Sequence, residues 1–196
     1  IMPSLVGSEM CIRDRMREVV EAQLIRSEIV VICGAIGGSA SRAVADALAD
    51  LGELEIVRVA MHPGSVQGFG RLGRDEVPTF LLPANPVSAL VTFEVMVRPL
   101  IRIALGKRQP MRRIIKARTI GPIASVQGRK GYLRGQLMRD ERSGDYLVQV
   151  LGASPTGSSH LLAELAEANC LIMVDADVEE LGTGDEVDVS FLAQRG

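Results

Sequence analysis

The stretch EIVVICGAIGGSASRAVADALADLGELEIVRVA, residues 28–60, decides the fold class. EIVVIC is a continuous, largely β-branched run, which is typical of a strand buried on both faces. The glycine-rich turn GAIGGSAS follows, RAVADALADLG has the spacing of an amphipathic helix that ends at Gly52, and ELEIVRVA is a second strand. Strand, turn, helix and strand in this order predict an α/β domain with a mostly parallel sheet between helices.

The flanking segments extend this domain. From Met16, the segment MREVVEAQLIRS repeats apolar residues at a helical period, and QGFGRL and VPTFLL predict two short strands. A helix is predicted over Pro86 to Leu105. Pro99 should bend or break this helix, because the proline ring removes one backbone hydrogen bond.

The sequence changes in character at GKRQP, residues 106–110. Beyond it, RIIKART, GYLRGQLMR, DYLVQVL, CLIMV and DEVDVSFL are short runs separated by turn residues, which predicts a small all-β barrel or sandwich. One short helix, Ser159 to Ala168, is predicted between these strands. We therefore divide the chain into residues 1–15 (a leader outside the fold), 16–106 (the α/β domain), 107–110 (a linker) and 111–196 (the C-terminal β domain).

Length and composition limit the class of function. The chain has 196 residues, of which 47% are hydrophobic, enough to build one mid-sized core or two small ones. A net charge of −2 and only two Tyr, without Trp, argue against nucleic-acid binding. The charges are segregated, since residues 98–139 contain no acid and residues 161–189 contain no base. This pattern favours two faces that pair within a fold or oligomer over a polyanion site.

Cysteine usage and hydropathy give two further expectations. The most apolar segment, residues 87–105, carries three charged residues on one helical stripe, so we predict an amphipathic helix and no membrane span. Three cysteines without CxxC spacing predict buried free thiols in a reducing cytoplasm, with neither a disulfide framework nor a zinc ribbon. These cysteines are Cys11, Cys33 and Cys170.

The first fifteen residues, IMPSLVGSEMCIRDR, are expected to take no part in the fold. Gly7, Ser8 and Glu9 break their apolar run, and no A-x-A cleavage site follows, so a secretory signal is not predicted. The string SLVGSEMCIRDR resembles translated sequencing-adaptor sequence.

Asn85 and Pro86 mark an abrupt helix start after a strand. Asn is a preferred N-cap, and Pro is tolerated at the first helical position, where its missing N–H costs nothing. In open α/β sheets, ligands bind at the carboxyl ends of strands, and helix N-terminal amides there favour anions such as phosphate or molybdate. An ordinary strand-to-helix cap explains the pair equally well. Ser88, in the first turn, can cap the backbone or donate to a ligand.

A longer string carries a family resemblance. VAMHPGSVQGFGRL, followed by VPTFLLPANPVSALVTFEVMVRPLIRIALG, resembles the MoeA and gephyrin family, the molybdopterin molybdenumtransferases. GSSHLLAELAEANCLIMV and ELGTGDEVDV resemble the final β domain of the same family, and QGFG and GRKGYLRGQL look like its actinobacterial members. The resemblance covers roughly Met16 to Leu192.

The resemblance implies both a fold and an activity. The fold would be part of a MogA-like three-layer α/β/α domain followed by a small β barrel, as a C-terminal fragment of a longer cytoplasmic protein. Family members bind adenylylated molybdopterin and, with molybdate and Mg²⁺, insert molybdenum and release AMP. A homodimer is implied, and the molybdopterin adenylyltransferase is a further candidate partner. Neither nucleic acid nor a membrane is expected as a partner.

The resemblance also places a pocket, although several positions depart from the family pattern. Arg42 stands where the family has an acid, and His62 and Ser65 stand where it has lysines. With only two histidines far apart, a dedicated protein metal site is not predicted, and no residue is singled out as a catalytic base or nucleophile. The predicted pocket residues are Gly34, Gly37, Gly38, Ser39, His62, Pro63, Gly64, Ser65, Pro83, Asn85, Pro86 and Ser88.

Two other functions stay open. The first is a degenerate paralogue that binds a pterin without catalysis, or serves as a scaffold, which Ala35, Ser39 and Arg42 favour. The second, an unrelated nucleotide-binding enzyme of the βαβ type, has no GxGxxG or Walker signature to support it.

Overall fold

The computed structural model describes residues 9–38, 41–152 and 165–192. The described residues form two compact units. The first unit contains those up to Val59 and those of Val66–Val97, and the second contains Ala60–Ser65 and those from Arg98 onward. Among the described residues, no helix combines the length and the apolar character needed to cross a bilayer.

The first unit consists of helices on one four-stranded sheet. Along the chain its elements are α1 (Glu9–Leu24), β1 (Val30–Ile36), α2 (Ser41–Leu48), β2 (Gly52–Arg58), β4 (Val66–Leu72), β5 (Val77–Pro83), α3 (Pro86–Thr92) and a π-helical segment (Phe93–Val97). The intervening strand β3 (Met61–His62) belongs to the second unit. The strand order in the sheet is β1-β5-β4-β2.

The sheet is mixed, which corrects the prediction of a mostly parallel sheet. Only β1 and β5 are parallel, whereas β4 is antiparallel to both β5 and β2. The order β1-α2-β2 along the chain predicts a parallel crossover unit, but β2 lies at the edge farthest from β1. The exposed Glu53, Glu55 and Arg58 suit β2 to an edge, because charges there hinder pairing with further strands. The α/β class itself is confirmed.

The core of the first unit lies between α1, α2 and one face of the sheet. Apolar residues at helical spacing, such as Val20 and Leu24 of α1 and Val44 and Leu48 of α2, pack on strand residues that alternate along the sheet. The buried strand residues include Val30, Ile32, Val77, Leu72 and Leu81.

Helix α1 begins inside the segment that was expected to lie outside the fold. It starts at Glu9, and the side chain of Arg13 lies 3.6 Å from the carboxylate of Asp50, just after α2. Arg17, one turn further on, bonds both Glu21 and Asp50. Residues 9–15 are therefore helical, and Arg13 contacts the rest of the first unit.

The long helix predicted after β5 contains an irregular turn. The π-helical segment separates α3 from α4 (Arg98–Ala104). Pro99 has no N–H to donate to the carbonyl of Val95, so one α-helical hydrogen bond is missing where the π-helical segment meets α4. The predicted interruption near Pro99 is confirmed.

The second unit is a closed β barrel. Its strands are β3, β6 (Ile114–Thr119), β7 (Ile123–Ala124), β8 (Lys130–Arg139), β9 (Tyr146–Val150), β10 (Cys170–Val174), β11 (Glu180–Leu181) and β12 (Glu186–Phe191). The order β10-β12-β6-β9-β8 closes because β8 also pairs with β10. β3 adds in parallel to β8, and β7 pairs with β11. The predicted β barrel is confirmed.

Small residues and neutralised charges allow the barrel to close. A Cβ on Gly135 would lie 2.9 Å from the Cys170 sulfur, so glycine permits the close approach of β8 and β10. Lys116 on β6 lies 2.9 Å from Asp188 on β12, which raises the pKa of this amine. Part of the segregated charge therefore pairs within the fold. Of the predicted helix over Ser159–Ala168, residues 165–167 are helical and most of the rest lies outside the described residues.

Candidate functional site

Two loops meet at one edge of the first sheet, because the parallel neighbours β1 and β5 both end there. Ile36 is in register with Pro83, and the Ala84 N–H donates to the carbonyl of Ile36 at 2.8 Å. We call residues 34–38 the glycine loop and residues 83–88 the Asn85 turn. These two loops lie side by side, as expected at the carboxyl edge of an open α/β sheet.

The glycine loop owes its backbone course to its glycines. Gly34 and Gly37 have φ angles of 81° and 73°, which side chains rarely tolerate. Within the described part of the chain, no hydrogen bond uses the N–H of Gly37 or Gly38. The Gly38 carbonyl accepts from the backbone and the hydroxyl of Ser41, at the start of α2. Ser39 lies outside the described residues.

The Asn85 turn is a well-formed helix cap. Asn85 is extended, and its Oδ1 accepts from the Ser88 N–H at 3.1 Å. The Ala89 N–H donates to the Asn85 carbonyl, and Pro86 has no N–H. Among the described bonds, only the first-turn amide of Val87 is unused. Ser88 can therefore offer a ligand its hydroxyl, while its amide serves the cap.

The two loops touch at Ala84. A Cβ on Gly38 would lie 3.0 Å from the Cβ of Ala84, so the methyl group of Ala84 occupies the space above Gly38. Ala84 would be strained if its position needed a positive φ. Outside glycine, however, the positive-φ residue of the described chain is Glu76, so the backbone of Ala84 is relaxed.

The charge at this edge is positive. The exposed Arg42 is the second residue of α2, and the first turn of that helix contains no acid. A guanidinium and unpaired amides near the start of a helix attract anions. No group of three or more His, Cys, Asp or Glu side chains that could hold a metal ion is present among the described residues.

The second set of predicted pocket residues belongs to the barrel unit. His62 ends β3 and is exposed, its peptide bond to Pro63 is cis, and Gly64 is buried with a φ of 88°. Residues 60–65 are grouped with the barrel because β3 pairs with β8, and Ala60 accepts from the Lys130 N–H at 2.9 Å. The described pocket residues are thus divided between the two units.

The cysteines differ in their surroundings, which partly corrects the expectation of buried thiols. Cys170 is fully buried in the barrel, and burial raises the pKa of its thiol to about 12. Cys33 on β1 is exposed, because its side chain lies on the sheet face opposite α1 and α2. The side chain of Cys11 lies outside the described part.

Two family models match the chain, one after the other. Residues 11–103 match the probable molybdopterin binding domain, and residues 116–192 match the MoeA C-terminal region, domain IV. The chain belongs to the MoeA family. The MoeA resemblance seen in the sequence is therefore confirmed.

Curated MoeA relatives and solved MoeA structures agree with this assignment. Molybdopterin molybdenumtransferase 1 of Mycobacterium tuberculosis is 71% identical over 179 residues, covering 91% of this chain and 42% of the relative. Molybdopterin molybdenumtransferase 2 of the same organism is 34% identical, covering 87% of this chain and 42% of the relative. A MoeA protein from Pyrococcus horikosii superposes with a TM-score of 0.73 at 26% identity, over 93% of this chain and 41% of that one. The chain thus spans less than half the length of these relatives.

The sequence alone did not predict every feature of this candidate site. The helix-start pattern predicted that the N-terminal amides in general would bind an anion. In the structure, the Ser88 amide donates to Asn85, and among the described bonds the Val87 amide is unused. The sequence did contain a signal for this difference. An Asn cap accepts a hydrogen bond from one first-turn amide, and a Pro at the first helical position has no amide hydrogen to donate. No pattern of composition or periodicity in the sequence indicated that residues 60–65 group with the barrel.

Proposed function

We propose that this chain, within a longer MoeA protein, takes part in molybdenum cofactor biosynthesis by inserting molybdate into adenylylated molybdopterin with release of AMP. The observation that carries the proposal is the meeting of the glycine loop and the Asn85 turn at the carboxyl edge of β1 and β5, in a domain of the molybdopterin-binding family. The relatives at 71% and 34% identity are named molybdopterin molybdenumtransferases, which supports the same activity.

The residues at the sheet edge suit an anionic substrate. The amides of Gly37, Gly38 and Val87 would donate to phosphate or molybdate oxygens, as would the hydroxyl of Ser88. Arg42 would add a fixed positive charge. The chain's contribution would be binding and orientation, which account for much of the rate enhancement in reactions without a protein nucleophile.

The roles of a metal ion and of the barrel-unit residues rest on the family resemblance. The resemblance implies Mg²⁺; the described residues contain no group of three or more His, Cys, Asp or Glu side chains that could hold a metal ion, and we assign no step to Mg²⁺. His62, Pro63, Gly64 and Ser65 remain predicted pocket residues, and so does Ser39. Cytoplasmic localisation, a homodimer and docking of the molybdopterin adenylyltransferase are further parts of the proposal that rest on the resemblance.

A second candidate is a pterin-binding module without catalysis. Arg42 favours it, because an arginine replaces the acid of the family pattern at the edge where the two loops meet. Binding would then persist while turnover is absent.

Calorimetric titration with adenylylated molybdopterin tests the proposal. Asn85→Ala removes the acceptor of the Ser88 amide and should weaken binding at least about tenfold, because the Asn85 turn loses its cap. Asn169→Ala is the matched control, since Asn169 bonds the Leu137 backbone in the barrel unit and should leave affinity unchanged. Equal affinities for Asn85→Ala and wild type would refute the site.

Molybdate-dependent AMP release, measured on the same samples, separates the two candidates. Binding with AMP release supports the transferase, and binding without it supports the module. Arg42→Asp restores the acid of the family pattern. A gain of AMP release in this variant would show that Arg42 impairs catalysis. A loss of binding would show that Arg42 holds the anion.

A further inference from the structure

The three glycines of the glycine loop are needed for two different reasons. A Cβ on Gly34 or Gly37 would meet nothing within 4 Å, but both residues have positive φ angles that side chains rarely adopt. Gly38 has no positive φ, but a Cβ there would lie 3.0 Å from the Cβ of Ala84. Gly34 and Gly37 therefore serve the backbone course, whereas Gly38 leaves room for Ala84.

Gly38 is held in place by the start of α2. Its carbonyl accepts from the Ser41 N–H at 3.2 Å and from the Ser41 hydroxyl at 2.8 Å. Two donors on one carbonyl restrict the movement of this peptide group, because any shift large enough to avoid Ala84 would lengthen both bonds. The glycine loop is therefore anchored at the residue that contacts Ala84.

Ala84 is held in place by the end of β1. Its N–H donates to the carbonyl of Ile36 at 2.8 Å, directly after Pro83, which is in register with Ile36. A methyl group on an anchored backbone cannot rotate away from a close neighbour as a longer side chain can. The Gly38–Ala84 contact thus joins two anchored backbones, and it changes only if the two loops move.

We propose that the Gly38–Ala84 contact sets the separation of the glycine loop and the Asn85 turn, and so positions donors of both loops for one oxyanion. The amides of Gly37, Gly38 and Val87 donate to no described residue. An anion that bonds both loops at once is sensitive to their separation, because N–H···O bonds need donor–acceptor distances of about 2.7–3.2 Å. Ala84 is a positioning residue, since its methyl group spaces the loops without bonding the ligand. Its effect on binding rests on the proposed function, whereas its effect on loop separation does not.

A double-mutant cycle between positions 38 and 84 tests this role. Gly38→Ala adds a methyl group to the contact and should weaken calorimetric binding of adenylylated molybdopterin at least about tenfold, because the loops must part. Gly38→Ala combined with Ala84→Gly moves the methyl group to the other side of the contact. The combined variant should bind within about threefold of Ala84→Gly alone, which serves as the reference for the added backbone freedom of glycine.

Gly37→Ala is the matched control for this cycle. It also adds one methyl group to the glycine loop, but its cost comes from the positive φ of Gly37 and not from Ala84. Ala84→Gly should therefore rescue Gly38→Ala and leave Gly37→Ala impaired. Equal rescue of both variants would show that glycine at position 84 only loosens the site, and it would overturn the proposal. A Gly38→Ala variant that binds like wild type would overturn it as well.

Amide hydrogen exchange without ligand, followed by NMR, measures the loop separation directly. Gly38→Ala should speed exchange of the Ala84 N–H at least about fivefold, because parting the loops weakens its bond to Ile36. The Leu192 N–H, which donates to Asn169 in the barrel unit, is the internal reference and should exchange alike in all variants. An unchanged Ala84 exchange rate would overturn the proposal. The expected exchange rates in a protein that binds no pterin would support the control of loop separation and overturn the proposed function.

Discussion

At the scale of single residues, the donors that an anion would meet at the sheet edge depend on a few side chains. Asn85 takes the Ser88 amide for its cap, and Pro86 has no N–H, so Val87 is left as the backbone donor of that turn. Across from it, the amides of Gly37 and Gly38 donate to no described residue, in a loop that turns through a positive φ at Gly34 and Gly37. Ligand affinity here should respond to residues that shape the backbone as much as to charged ones.

The thiol of Cys170 predicts a specific alkaline instability. Burial raises its pKa from 9.0 to about 12, so above pH 9 the unfolded chain ionises this thiol while the folded chain keeps it protonated. Ionisation of this thiol leaves the free energy of unfolding unchanged below pH 9. From pH 9 towards pH 12 it lowers the free energy of unfolding by about 1.4 kcal/mol per pH unit.

Urea unfolding between about pH 8 and pH 10.5 measures this slope. Cys170→Ala should show a shallower loss of stability than wild type across that window. Cys33→Ala is the control, since it removes an exposed thiol outside the barrel and should keep the wild-type slope. Identical slopes for the two variants would contradict the assignment.

At the scale of elements, edge strand β2 depends on a close backbone approach. Gly70 on β4 lies opposite Leu54, and a Cβ at Gly70 would overlap the carbonyl oxygen of Glu53. Backbone atoms cannot rotate away as a side chain can. The pairing of β2 with β4 therefore requires glycine at this position.

Gly70→Ala should separate β2 from β4 and lower the free energy of unfolding by at least about 2 kcal/mol, because overpacking adds to lost ladder bonds. Gly121→Ala is the matched control: its φ is not positive and its Cβ would meet nothing within 4 Å. Denaturant unfolding compares the two. A Gly70→Ala variant as stable as Gly121→Ala would show that the strands are not so close.

The sequence predicted which elements form better than how they pair. Apolar runs bounded by turn residues located β1, β4, β5 and the main barrel strands, because burial imposes local periodicity. Partner choice is non-local: the strand-helix-strand order predicted a parallel sheet, whereas β2 is an antiparallel edge strand, a position that its charged residues suit. The two-residue β3 was missed because so short a segment has no periodicity.

Only part of the candidate site could be predicted from the sequence. The Asn85-Pro86 cap followed from helix-start chemistry, and the glycine loop followed from its composition. Which amides stay free depends on bonds that only coordinates show, such as the one from Ser88 to Asn85. The roles of His62 and Ser65 stay a prediction.

At the scale of the whole molecule, the chain joins an α/β unit to a barrel that closes on itself. The ring β10-β12-β6-β9-β8 is contained within residues 114–191, and its buried residues form a cluster of their own. Each of these five described strands pairs with two neighbours within the ring.

A fragment of residues 98–196 should therefore fold alone. We expect dispersed amide resonances and a cooperative thermal transition from it, because a complete core supports independent folding. The control fragment, residues 98–185, lacks β12 and should remain unfolded, since β6 and β10 both lose a neighbour. A disordered 98–196 fragment would contradict the autonomy of the barrel.

Ring closure also sets an order of events during synthesis. β6 at residues 114–119 pairs with β12 at residues 186–191, so the earliest ring strand must wait for the latest. While the ribosome translates the intervening segment, the apolar faces of β6, β8 and β9 have no closed interior in which to pack. A pause in translation before β12 would lengthen this exposure, and a chaperone that binds nascent apolar strands would find its best target there.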